Sequence, residues 1–265
     1  MTSPAALVDL DRYPVVDPDP SALDTVVQTA RAQLRAIGAA ELPGFVHAEG
    51  VTRLVADAEA LEPLAHRSGG LGTAYLGFPD ETLAAGHPRR YLGDYAVGAV
   101  AYDLFPPSSP LRALYEWEPL RALVESILDR GPIHPYADPL GALNLATMGD
   151  GDQLQWHFDQ TDFVVSLAVR SSDAGGDFEV VPRVRADNDE RYPEVARAIA
   201  GESPDLMTLP MRPGTLLVFE GRNSLHRVTP IKGDVTRLVG LFGYDTRPDT
   251  ASSELLQLVR YGRSA

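Results

Sequence analysis

His157 and Asp159 stand two residues apart in the run Gln153-Leu154-Gln155-Trp156-His157-Phe158-Asp159. On a strand, successive side chains alternate faces, so Gln153, Gln155, His157 and Asp159 share one face while Leu154, Trp156 and Phe158 share the other. With the apolar face packed against a helical layer, the polar row points into the interior, where an unpaired imidazole and carboxylate are costly unless something satisfies them. A bound metal ion does so. Two residues along a strand separate the Cα atoms by about 7 Å, from which both side chains can converge on one ion. His226, in Ser224-Leu225-His226-Arg227-Val228-Thr229-Pro230, offers a third ligand. With no cysteine in the chain, thiolate nucleophiles, cysteine–zinc sites and iron–sulfur clusters are excluded, and any metal is held by His, Asp or Glu.

Eleven residues after His226 comes Arg237, in the apolar run Val235-Thr236-Arg237-Leu238-Val239-Gly240-Leu241-Phe242. A guanidinium in such a setting needs an anion. Its fixed fork suits a carboxylate brought by a ligand, or it pairs with a nearby acid, Asp234 or Asp245.

These residues need strands to position them. From about residue 141 the sequence turns into short β-type runs separated by turn residues: ALNLATM, QLQWHFD, DFVVSLAV, DFEVVP, LMTLPM, GTLLVFEG, LHRVTPI and TRLVGLFGY. Eight such runs suggest an antiparallel sandwich or barrel. Residues 186–204 read as a polar insertion with a short helix at 193–200. The first part is helical. Residues 21–37 are amphipathic, open with Ser21 as N-cap and stop at Gly38. A second helix is expected over 52–66, and a third pair over 110–130 with a break near Pro119. Residues 67–109 read as long loops with short strands. The expected fold is therefore an all-β core with N-terminal helices (α+β) in one domain over 1–265. Residues 1–135 form the helical layer and substrate-side loops, 136–248 the β core and 249–265 a C-terminal tail. Trp156 and Phe158 are expected as core residues under the helices, and His47, His66, His87 and His134 at the surface.

Composition narrows the function. The chain has 265 residues, 44% of them apolar, with 23 Lys+Arg against 37 Asp+Glu. The net charge of −14 argues against a nucleic acid or an anionic membrane as partner. No apolar run approaches the roughly 20 residues of a membrane span, and the N-terminus lacks the pattern of a secretory leader, so a cytoplasmic protein with a small-molecule substrate is expected. Oligomeric state is not legible.

Two histidines and a carboxylate facing three open positions are the arrangement expected of non-haem Fe(II) oxygenases. His157, Asp159, His226 and Arg237, in that order and each in a β-type run, resemble the Fe(II)/2-oxoglutarate-dependent oxygenases. More narrowly, the runs WHFD, GGDFEVVP, PGTLLVFEG and LHRVTP look like the subgroup that hydroxylates or halogenates free amino acids. The resemblance implies a double-stranded β-helix (jelly roll, cupin-like). It also implies Fe(II) on His157, Asp159 and His226, with 2-oxoglutarate chelating the metal, O2 as co-substrate and Arg237 clamping the far carboxylate. Hydrogen abstraction from an unactivated C–H bond then leads to hydroxylation, or alternatively to desaturation or cyclisation. A cupin-like protein that binds a metal and a small acid without oxygen chemistry is the competing class.

Members that halogenate carry a small residue where Asp159 stands, vacating a position for chloride, so Asp159 implies hydroxylation. Lysine-type halogenating relatives have His and an acidic residue where this chain has Leu154 and Gln160, which turns expectation from a basic substrate to a neutral or modified amino acid. Gln160 thereby becomes a candidate substrate contact. Gly86-His87-Pro88-Arg89-Arg90-Tyr91 resembles the stretch from which relatives supply an Arg to the substrate carboxylate, so Arg89 or Arg90 is expected there. Asn144 matches a position near 2-oxoglutarate.

Overall fold

The alternation of the C-terminal half is resolved, in a computed structural model that describes residues 3–16 and 19–265, into strands that cross back and forth between two facing sheets. In chain order the elements are α1 (Pro20–Ile37), β1 (Ala39–Leu42), α2 (Ala48–Leu61), β2 (His66–Gly72), β3 (Gly93–Val100), α3 (Pro110–Tyr115), α4 (Glu118–Leu128), β4 (His134–Pro135), β5 (Leu143–Met148), β6 (Leu154–His157), β7 (Val164–Arg170), β8 (Phe178–Val181), α5 (Tyr192–Ile199), β9 (Met207–Leu209), β10 (Leu216–Phe219), β11 (Leu225–Val228), β12 (Arg237–Phe242), β13 (Tyr244–Asp245) and α6 (Glu254–Tyr261). The major sheet has the order β1-β10-β7-β12-β5-β3-β2 and the minor sheet β6-β11-β8-β9, all pairs antiparallel. Strands β5 to β12 alternate between the sheets, except that β8 and β9 are neighbours in the minor one, as in a double-stranded β-helix. A short ribbon, β4 with β13, stands apart from both.

Parity along the strands assigns each side chain to a layer. Leu143, Leu145, Val165, Leu167, Leu216, Val218, Leu238 and Phe242 face outward from the major sheet and pack under α1 to α4. Met148, Phe178, Val180, Leu217, Phe219 and Val228 fill the space between the sheets. Each such side chain contributes about 1.5–3 kcal/mol by leaving water, which is what ties the helices to the sheet. The first helix opens two residues earlier than expected. Asp19 is its N-cap, accepting from the backbone N–H of Ser21 and Ala22, and Gly38 ends it at φ +66°. Pro119 lies in the first turn of α4, where a missing N–H costs nothing, so the break falls between Tyr115 and Glu118.

Four expectations are corrected. Residues 1–135 are not only helices and loops, because β1, β2 and β3 extend the major sheet on both flanks. The short strands expected within 67–109 are β2 and β3, paired over seven positions from His66–Ala99 to Gly72–Gly93. The helix expected over 52–66 spans Ala48–Leu61, with its N-terminus capped by the His47 imidazole, and His66 opens β2 instead. Residues 249–265 form α6, which packs on β2 and β3 with Tyr261 buried. Trp156 and Phe158 are buried as expected, but under Ala74 and under Val195 and Ala198 of α5, on the far side of the minor sheet from α1 to α4. Among the described residues no helix is long and apolar enough to cross a membrane.

Candidate metal centre

Strand β11 lies beside β6 with His226 directly across from His157, and a register shift follows before Val228. Parity turns both imidazoles into the space between the sheets, and their ring centroids are 4.3 Å apart. Asp159 follows β6 and is held by its backbone N–H to the Gly221 carbonyl at 3.0 Å. Ligand atoms of His157, Asp159 and His226 lie within 4.8 Å of one another. Nε2 of His226 is 3.4 Å from Asp159 Oδ2, and Nε2 of His157 is 3.9 Å from Oδ1.

The polar contacts select which atoms remain free. Nδ1 of His157 lies 2.7 Å from the Gln155 carbonyl, and Nδ1 of His226 lies 2.9 Å from the Ser224 carbonyl. A carbonyl only accepts, so each ring donates from Nδ1 and presents an unprotonated Nε2 to the common centre. Burial, reinforced by neighbouring His226, pushes the His157 pKa down to about 4 despite the opposing pull of Asp159, which keeps this ring neutral. Asp159 Oδ2 is buried and, among the described residues, has no hydrogen-bond partner. A lone carboxylate oxygen facing two free ring nitrogens contributes nothing to the fold by itself. It fits a cation, and the donor set of two imidazoles and one carboxylate suits a divalent first-row metal. Gly221 makes the arrangement possible, since a Cβ there would collide with Asp159 Oδ2. Phe178 and Phe219 wall His226, with ring centroids at 5.5 and 5.0 Å.

The inner face of the major sheet supplies the second part of the site. Asn144, Leu241 and Ser166 are register partners across β5, β12 and β7, and the next level toward the mouth carries Val164 and Phe219. Arg237 lies on the same face of β12 four residues from Leu241, roughly 13 Å deeper. It is 8% exposed, and among the described residues its one polar contact is with the Met148 sulfur at 3.9 Å. Neither Asp234 nor Asp245 pairs with it. Asp234 donates its backbone N–H to Asp173, and Asp245 is bound by Arg247. Burial pushes the Arg237 pKa down to about 10, with Asp177 opposing. A cation of that basicity keeps its charge and lacks a counter-ion, which fits an incoming anion.

Not every expected residue joins this cluster. Arg90 is engaged by the Leu83 carbonyl and Glu81, both at 3.0 Å, and Arg89 stands 3.8 Å from Asp80, so both have partners on their own loop. Gln160 is exposed, with its carbonyl bound by Arg222 at 2.8 Å. Tyr136 was not expected. Its N–H donates to the Gly243 carbonyl, and its ring occupies the inner-face space where a Gly243 side chain would stand. Burial pushes its pKa up to about 12, with Asp245 and Asp159 adding to the rise and Arg260 opposing it. A tyrosine beside a two-residue strand carries no motif, which is why the sequence did not mark it.

A profile of the family described as "HalD: Halogenase D" matches residues 99–257. Among solved structures, AviO1 from Streptomyces viridochromogenes Tue57 is similar at 21% identity, with a TM-score of 0.57 over 85% of this chain and 97% of that one. SnoN, a non-haem alpha-ketoglutarate-dependent epimerase from nogalamycin biosynthesis, shares 17% identity at a TM-score of 0.56 over 83% of each chain. HygX from Streptomyces hygroscopicus, solved with nickel, 2-oxoglutarate and hygromycin B, shares 14% at 0.53 over 82% of this chain and 86% of that one. At these identities the likeness is one of fold, and it agrees with the jelly roll. No curated protein matches the chain.

Proposed function

We propose, from the premise that the chain belongs to the Halogenase D family, that it is a non-haem Fe(II)- and 2-oxoglutarate-dependent oxygenase. Its reaction is hydroxylation of an unactivated C–H bond of a free amino acid or similar small carboxylate. One observation carries the reading: three ligand atoms converge around an unpartnered buried carboxylate oxygen, while a buried arginine without a counter-ion lies deeper in the same barrel.

His157 Nε2, His226 Nε2 and an Asp159 oxygen would hold the iron. The chemistry supplied by iron with 2-oxoglutarate and O2 is removal of a hydrogen atom from a carbon too inert for acid–base catalysis. The protein supplies binding and orientation. Arg237 offers two parallel N–H donors to the far carboxylate of 2-oxoglutarate, and Asn144 and Ser166 are polar groups on the same inner face above it. Phe178, Phe219 and Val180 keep water from the metal side of the barrel. Asp159 fills the position that a halide would need, and this separates the proposed reaction from the one in the family's name.

Anaerobic addition of Fe(II) and then 2-oxoglutarate to the purified protein should give a weak visible charge-transfer band. An amino-acid panel in air should then show O2-dependent succinate and a product heavier by one oxygen. Metal bound without a band refutes the cofactor assignment. A band followed by a product lighter by two hydrogens keeps the oxygenase and replaces hydroxylation by desaturation or ring closure.

A further inference from the structure

We propose that Arg260, on the last turn of α6, docks the substrate's carboxylate and so holds a small anionic acid across the mouth of the barrel, with its reacting carbon turned toward His157, Asp159 and His226. The inference deepens the oxygenase reading and rests on it. Arg260 lies beyond the residues that the family profile matches.

The position of α6 is fixed from two sides. Buried Asp138 accepts from the backbone N–H of Ser252 and from the Gln257 side chain, both at 2.9 Å, and so ties down the start of the helix. At its end Tyr261 is buried among Ala99, Ala101 and Leu140, with its hydroxyl unpartnered. Gly262 follows at φ +69°, and any side chain there would strike the His66 ring. The register says which level of the barrel this is. Ala99 pairs with Ala146 and Val100 with Leu145, so the chain at Ala101 continues beside Asn144. Asn144 belongs to the inner-face row next to Phe219, whose ring lies against His226. The end of α6 therefore borders the metal-side mouth, not the Arg237 end.

Arg260 is exposed and, among the described residues, has no ion pair. Its basic neighbours in sequence are committed: Arg247 to Asp245 at 3.6 Å and Arg263 to Asp103 at 2.6 Å. Burial and Asp159 raise the Tyr136 pKa while Arg260 opposes them, so this side chain lies within electrostatic reach of both charges. A chain of net charge −14 repels a small acid at long range, so capture needs a local cation, and a guanidinium fork matches a carboxylate in a bidentate geometry.

The test uses wild type, Arg260→Gln and Arg260→Lys, each loaded anaerobically with Fe(II) and 2-oxoglutarate. The probes are free α- and ω-amino acids and short hydroxy acids, each beside its own carboxamide. Perturbation of the charge-transfer band reads binding, and succinate release in air reads KM and kcat. Acids but not amides should perturb the wild-type band. Arg260→Gln should keep the band itself but need roughly tenfold to a hundredfold more acid, with the loss in KM more than in kcat, and Arg260→Lys should recover part of it. Unchanged acid binding in Arg260→Gln overturns the assignment, as does equal response to amides or no response of the wild type to any acid. Loss of the band in Arg260→Gln assigns the residue to 2-oxoglutarate instead. Absence of the band in wild type brings down the oxygenase reading and this inference with it.

Discussion

Two groups of charged side chains lie close together in sequence and differ in one respect. Around the loops that follow α4, β6, β8 and β10, Arg222 holds Asp162 at 2.5 Å, Arg183 holds Glu220 at 2.7 Å, Arg185 holds Glu190 at 3.1 Å, and Arg130 reaches Glu220 at 3.4 Å. Every charge there is answered within the chain. A few residues away, inside the barrel, Asp159 Oδ2 has no partner and Arg237 has only a thioether. The outer group satisfies the fold. The inner group is left short where burial makes shortage most costly, and such a shortage persists when a ligand relieves it.

The comparison breaks most readily at Asp159. Asp159→Ala should lower iron affinity by more than about a hundredfold and abolish hydroxylation, because a direct ligand outweighs the supporting contacts whose loss alone costs that much. Chlorination need not appear, since chloride and substrate must also be positioned. The metal-free variant should be as stable as wild type or more so, because an unsatisfied buried oxygen costs about 1–3 kcal/mol. Metal titration and urea unfolding of the apoprotein measure the two effects, and a destabilised apo variant with intact iron binding would move Asp159 into the structural group.

Gly221→Ala reaches the same atom from outside. Its Cβ would meet Asp159 Oδ2, so the carboxylate must turn away while both imidazoles stay. Iron binding should weaken by roughly ten- to a hundredfold, the range seen when a ligand's orientation is lost. Unaltered binding would show that the carboxylate does not need its observed position. Arg237→Gln comes next. Iron binding should persist while 2-oxoglutarate binds about tenfold to a hundredfold more weakly, as expected for a lost charge-assisted pair, and apoprotein stability should not fall. Titration with 2-oxoglutarate at saturating Fe(II) checks it.

The interior group was legible because a strand's period of two and an antiparallel register are enough to bring His157 and His226 onto the inner face of the minor sheet and Arg237 onto the facing inner face of the major one. Short strands were expected within 67–109, but their bounds were not legible where that period is masked. Strand β2, HRSGGLG, is largely exposed and shows no alternation. Three glycines are there for clearance: side chains at Gly72 and Gly93, which are register partners, would overlap Gln155, and one at Gly98 would overlap Thr147. A strand chosen for missing side chains reads as a loop. Helix α5 covers Trp156 and Phe158 because the insertion folds back on the minor sheet, a tertiary contact that no local pattern announces. Tyr136 follows β4 and Arg260 lies on α6, elements too short or too far along the chain for the motif to include.

The smallest expected effect tests the outer group. Asp162 stands three residues after Asp159 and is the same kind of side chain, but it is about half exposed and pairs with a half-exposed Arg222. Asp162→Asn should cost about 0.2–1 kcal/mol, shrink further as salt is raised, and leave iron and 2-oxoglutarate affinity unchanged. Urea unfolding at low and high salt, beside a metal titration, reads all three. If Asp162→Asn weakened iron binding as Asp159→Ala does, pairing within the chain would no longer distinguish a structural carboxylate from a ligand. If it does not, the difference between two aspartates one loop apart comes down to burial and the presence of a partner.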